Sequence, residues 1–197
     1  LEHQDTGRDA CAIEDVGRKS DNSIHIIFLF DEETADYMVK MDLHMITLTE
    51  IECITGDLEE FKRLVKLLTP EAIEKELIHR EKVSILVEGK GFMVWDSEPF
   101  LPETIGHYQR MIKPSMPVLG LNGSYIIGAY ECREKDTGIL FFYNMYRDEY
   151  YGELRAKGIP GIIHQYDAKT IEALEAAIEK YLVKDLKELY EHPVIED

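Results

Sequence analysis

Runs of apolar residues separated by charged stretches define the expected elements of this chain. Residues 24–30 form a near-continuous apolar run, the pattern of a strand covered on both faces. Asp31 can cap a short helix ending near Met41, with Glu32 and Glu33 at the positive end of its dipole. Residues 44–54 alternate, as a strand with one more polar face does. Asp57, three residues ahead of Glu60, has the spacing of a capping box, and Leu58, Phe61, Leu64, Val65 and Leu68 make the stripe of an amphipathic helix. That helix restarts at Thr69-Pro70-Glu71 and continues through Ile73, Leu77 and Ile78. Further on, residues 83–88 and 92–95 flank Gly89-Lys90-Gly91 as the arms of a β-hairpin. Residues 102–112 have helical spacing. Turn signals at Asn122-Gly123 and at 135–138 then separate strands at 118–121, 125–132 and 139–146. A short helix at 148–156, a strand near 161–164 and a long helix with Ile171, Leu174, Ile178, Leu182, Leu186 and Leu189 on one face complete the chain.

One pattern occurs twice. The run Ile26-Ile27-Phe28-Leu29-Phe30, its acidic Asp31-Glu32-Glu33 and the helix stripe of Leu58, Phe61 and Val65 recur 113 positions later. There Ile139 to Tyr143 fill the strand, Asp148-Glu149-Tyr150 follow it, and Ile171, Leu174 and Ile178 form the stripe. Identities are few, among them Ile26 with Ile139, Phe28 with Phe141, Tyr37 with Tyr150 and Glu59 with Glu172. Convergence on a common way of covering a sheet is therefore favoured over duplication. The fold expected is α+β or α/β: a mixed β-sheet with central antiparallel hairpins flanked by two β-α-β-α units, helices packed on the sheet. Residues 1–23 are polar and serve as an irregular lead-in or arm; Leu1-Glu2-His3 carry no weight. Residues 24–197 make one domain with sub-units 24–80, 81–138 and 139–197.

Composition narrows the partners. The balance of 45% hydrophobic and 31% charged residues is that of a folded protein. A formal charge of −17, from 39 acidic and 22 basic residues, argues against nucleic acid, whose binding needs a basic surface. No run approaches a membrane span and no signal pattern opens the sequence, so a soluble, unsecreted chain with no membrane partner is expected. Asparagine and glutamine are scarce, a lean toward a heat-adapted source. Cys11, Cys53 and Cys132 are odd in number and widely spaced, which fits a reduced, cytoplasmic protein; Cys53 is expected to be a small buried hydrophobe.

Residues 85–91, Ile-Leu-Val-Glu-Gly-Lys-Gly, resemble the first motif of toprim nucleotidyl-transfer domains, in which the glutamate, here Glu88, helps manage a magnesium-bound phosphate. The Asp-x-Asp pair those domains also need is absent from this sequence. Residues 124–182 loosely resemble the second half of GNAT-family acetyltransferases, but Arg147-Asp148-Glu149-Tyr150-Tyr151-Gly152 lacks the glycine pair of their pyrophosphate loop and adds two carboxylates. Glu76-x-x-His79 has metal-ligand spacing without the second copy that a bridged site requires, so no metal and no cofactor are expected. Gly-x-Ser-x-Gly is absent. The richest candidate surface is aromatic: Tyr143, Tyr146, Tyr150, Tyr151 and Tyr166, with Arg147 and Arg155, gather where open α/β sheets place ligands. The function expected is a non-enzymatic module binding a small molecule or a protein there, with homodimerisation possible. The alternative is an enzyme of acyl- or phosphoryl-transfer type using Glu88, Asp148 or His164 as acid or base.

Overall fold

The acidic residues that follow the first apolar run turn the chain instead of coiling it. In the computed structural model, which describes residues 11–12, 25–43, 45–120 and 123–194, Asp31 Oδ1 accepts from the amides of Glu33 (2.9 Å) and Thr34 (3.4 Å). Ala35 then takes a left-handed φ of 59°, which reverses the backbone into a second strand. The short helix expected after Asp31 is thus a hairpin turn. The arm at residues 1–23 lies outside the described residues except for a two-residue strand.

The chain divides into two compact units, Leu1–Leu77 and Ile78–Asp197. In the first, β1 (Cys11–Ala12), β2 (His25–Asp31), β3 (Asp36–Asp42) and β4 (Thr47–Thr55) form one antiparallel sheet in that order. Helix α1 (Leu58–Ala72) starts as its capping signal requires, with Asp57 Oδ1 accepting from the Glu60 amide at 2.7 Å. Phe61 packs with Val39 and Cys53 in a small core, where Cys53 is the buried hydrophobe expected. Proline lacks an amide donor, yet α1 runs through Pro70 rather than restarting there, and the ladder beyond it widens into a π-helical turn, Ile73–Ile78.

The second unit holds α2 (Ile85–Glu88), a 3-10 turn (Phe92–Val94), β5 (Thr104–Ile105), β6 (Tyr108–Ile112), β7 (Val118–Leu119), β8 (Ser124–Cys132), β9 (Thr137–Asn144), β10 (Glu149–Ala156), β11 (Ile159–Ala168) and α3 (Ile171–Glu191). Its sheet runs β11-β10-β9-β8-β6-β5, with β7 also on β8. Helix α3 lies against β9, β10 and β11 and buries Leu174, Ile178, Leu182, Leu186 and Leu189. Three expected elements change here. The hairpin at 83–95 is replaced by α2 and the 3-10 turn, because Val87 and Phe92 both reach the core, each with 0% exposure. The helix at 102–112 is the β5–β6 hairpin, turned at Gly106 with φ 58°. The helix at 148–156 is strand β10, paired on both sides. Every strand pairing among the described residues is antiparallel, so the α+β class stands while the mixed sheet and the helix-bearing flanking units do not.

What does recur is a three-strand meander followed by a helix. β2-β3-β4-α1 and β9-β10-β11-α3 share not only order but register: Asp31↔Asp36 in one is Asn144↔Glu149 in the other, each number raised by 113. The irregularity recurs as well, Tyr37↔Thr55 stepping to Val39↔Glu50 and Tyr150↔Ala168 stepping to Gly152↔Ile163 at the same offset. So do the left-handed turn residues, Ala35 (φ 59°) and Asp148 (φ 49°), and the helix caps, Asp57 and Thr170. The ring pairs across the turns match, with Phe30–Tyr37 at 4.6 Å and 44° and Tyr143–Tyr150 at 5.0 Å and 48°. A bulge is an inserted irregularity with many possible positions. Its coincidence with the turn, cap and ring pair identifies these segments as two copies of one structural module, separated in the sequence by residues 73–136.

Candidate functional site

Strand geometry distributes the tyrosine and arginine residues singled out above over three places. Asn144 Oδ1 accepts from the amides of Tyr146 (3.0 Å) and Arg147 (2.9 Å), and Asp148 turns the chain back, so the segment is a hairpin with period-two sides. Tyr143 and Tyr150 point into the core beneath α3, exposed by 1% and 3%. Tyr151 and Arg155 lie on the other face, where Tyr151 stacks on Phe142 at 4.8 Å and approaches Ser124 Oγ at 3.2 Å, and Arg155 pairs with Glu153 at 2.7 Å. Only Tyr146 and Arg147 project at the turn, Tyr146 lying over Gly123, where a Cβ would meet its ring at 2.4 Å.

Of the acid–base candidates, Asp148 is held by the Lys90 ammonium at 2.8 Å and the Tyr143 hydroxyl at 2.7 Å, both donating to Oδ1. Those bonds, Lys90's first, hold its carboxyl below the ordinary aspartate value. Burial, and after it the same contact, raise the Tyr143 phenol. Glu88 is exposed outside this network, and His164 is exposed with Nδ1 2.9 Å from Asp167. The structure brings the Gly89-Lys90-Gly91 segment to Asp148, but as a clamp between two turns. Glu76's side chain lies outside the described residues.

A concavity of about 190 Å³ forms elsewhere in the second unit, lined by Arg80, Glu103, Arg110, Met111, Ile112, Lys113 and Met116. A bulge explains why three consecutive β6 residues line it. The register with β8 slips between Arg110 and Ile112, leaving Met111 as the extra residue where a regular strand would alternate faces. The chain then folds back through Lys113-Pro114-Ser115-Met116, a turn closed by the Met116 amide on the Lys113 carbonyl at 2.9 Å, with proline at its second position. Arg110 is fixed by donating to the Leu101 carbonyl and to Glu98 Oε1 (2.7 Å), and its own amide donates to the Glu103 carbonyl at 2.8 Å.

Arg80 differs from Arg110. Its Nε is buried and bonds to nothing among the described residues. Burial lowers the pKa of its guanidinium, a group that stays charged at any physiological pH. The sequence carried one signal of this cationic place: residues 104–130 contain no Asp or Glu in a chain of net charge −17, and both their Arg and their Lys, Arg110 and Lys113, line the concavity. Nothing local marked Arg80. Among the described residues no group of three or more His, Cys, Asp or Glu is placed to hold a metal ion, and no helix is long and apolar enough to cross a membrane. No protein family's sequence pattern, no curated protein and no solved structure matches the chain.

Proposed function

We propose that the chain is a small-ligand-binding module whose site is the concavity of the second unit. One observation carries this: Arg80, whose Nε is buried without a hydrogen-bond partner among the described residues, is one of the residues that line it. Buried polar groups are satisfied in nine cases of ten or more, so a guanidinium left short of partners in a lining favours an external partner at its remaining donors. Arg110 is already held by Glu98 and the Leu101 carbonyl, and the bulged strand is braced by β8, which makes the wall preorganised rather than formed on binding. The side chains of the lining are cations, thioethers, an isoleucine and one carboxylate, groups that hold and orient a molecule.

The test is an amide chemical-shift map of the full chain with a library of small polar compounds. Binders are expected to move the amides of residues 110–116 first. A library that shifts only the Tyr146–Arg147 turn would move the site there, and one that shifts nothing would remove the proposal.

A further inference from the structure

Taking the concavity as a ligand site, as proposed above, we infer that its ligand carries a small oxyanion, a phosphoryl or carboxylate group, with Arg80 as the anchor. The lining presents three cations, Arg80, Arg110 and Lys113, and one carboxylate, Glu103. This is the reverse of the whole chain, where acidic residues outnumber basic ones by 39 to 22. Surface charges farther than about 8 Å are largely screened at physiological ionic strength, so a ligand inside the concavity responds to the local cations.

Each cation has a distinct place. Arg110 has one nitrogen on Glu98 and another on the Leu101 carbonyl, so its charge is largely offset and it acts as a fixed part of the wall rather than a free fork. Lys113 stands exposed on the turn and is one of the lining residues. Arg80 has a buried, unbonded Nε, so the ligand is met by the terminal nitrogens of its planar guanidinium, whose spacing matches the oxygens of a carboxylate or phosphate. A neutral carbonyl would satisfy one donor and leave the desolvated charge unanswered, whereas an oxyanion answers both. Met111, Ile112 and Met116 lower the dielectric around that pairing, which strengthens it relative to water.

Size limits the ligand. Pockets for drug-sized molecules measure roughly 300–1,000 Å³, and this one is about 190 Å³. It admits an inorganic anion, a short dicarboxylate or the charged end of a larger molecule that extends outward past Lys113.

The experiment is isothermal titration of the full chain at low salt with inorganic phosphate and, separately, with malonate, repeated on Arg80→Met, Arg80→Lys and Lys113→Ala, alongside the amide shift map. Saturable binding with shifts at 110–116 is expected from at least one anion. Whichever binds more tightly identifies phosphoryl or carboxylate. Losing a charge-assisted hydrogen bond weakens binding about 10- to 100-fold, the effect expected of Arg80→Met. Arg80→Lys keeps the charge but not the fork, and Lys113→Ala leaves Arg80 in place, so both are expected to weaken binding less. Anion binding that ignores Arg80→Met, or shifts scattered over surface lysines, would overturn the inference. If neutral compounds occupy 110–116 while phosphate and malonate do not, the oxyanion is wrong and the binding site stands; if nothing occupies it, both fall.

Discussion

An unanswered guanidinium destabilises the protein that holds it, because the charge is partly withdrawn from water without a replacement partner. Replacing such a group by an apolar side chain of similar length often stabilises a fold, and Arg80 retains part of its exposure, so the gain for Arg80→Met is about 1 kcal/mol in ligand-free protein. Urea unfolding checks this. A variant that unfolds earlier than the parent would mean that Arg80 supports the fold rather than a ligand. Asp148 behaves oppositely. Hydrogen bonds from Lys90 and Tyr143 depress its folded pKa below the ordinary aspartate value, so their stabilisation is present above about pH 4 and is lost as pH falls through the depressed value. Asp148→Asn is expected to be less stable than the parent at pH 7, with the gap closing in acid; a gap constant with pH would show that the ionised carboxylate contributes nothing.

At the scale of elements, β10 shows how a helical-looking sequence becomes a strand. Its Glu, Leu, Arg and Ala favour helix locally, but Tyr150, Gly152 and Ala156 bury on one side while Tyr151, Glu153 and Arg155 take the other, and pairing to β9 and β11 decides the outcome. Gly152 is required by the packing: a Cβ there would stand 2.8 Å from Tyr166 Cδ2 and 3.1 Å from its Cβ. Gly152→Ala is expected to cost about 1–3 kcal/mol through overpacking, read as a lowered urea midpoint with unchanged slope; a neutral effect would mean the ring yields freely. Where periodicity was strong the sequence was legible. The stripes of α1 and α3, the alternation of β4 and the turn between β8 and β9 were all readable from it. It misled where a single residue carried two meanings. Gly89 and Gly91 looked like a hairpin turn, yet Val87 and Phe92 were needed in the core. Asp31 looked like a helix cap and Asp148 like the start of a short helix, yet each stands at a hairpin turn, Asp31 bonding its amides and Asp148 reversing the backbone. Arg80 was illegible because the absence of a partner is a property of the fold. Arg110 and Lys113 were half visible in their acid-free stretch.

The whole molecule is two copies of one meander-and-helix module separated by a segment that neither copy contains, and the concavity is lined entirely from that segment, Arg80 to Met116. The repeat supplies sheet and core. The residues lining the concavity, braced on β8, are where a ligand is proposed to bind. The core of the second unit is rich in tyrosine, and burial is the main cause raising the phenols of Tyr130, Tyr143, Tyr150 and Tyr166, with Tyr108 pushed up to about 12. Because the fold holds these groups neutral, that stabilisation is complete below about pH 10 and is lost as pH rises through the folded values. Alkaline unfolding should therefore begin above about pH 10, with tyrosinate absorbance rising together with loss of circular dichroism. All eleven tyrosines ionising near pH 10 in a still-native protein would contradict it. Arg80 and its concavity are tested most directly by calorimetric titration of phosphate and malonate into the parent and into Arg80→Met. Saturable binding in the parent that falls by about 10- to 100-fold in the variant is the result predicted; equal binding in both, or none in either, would contradict it.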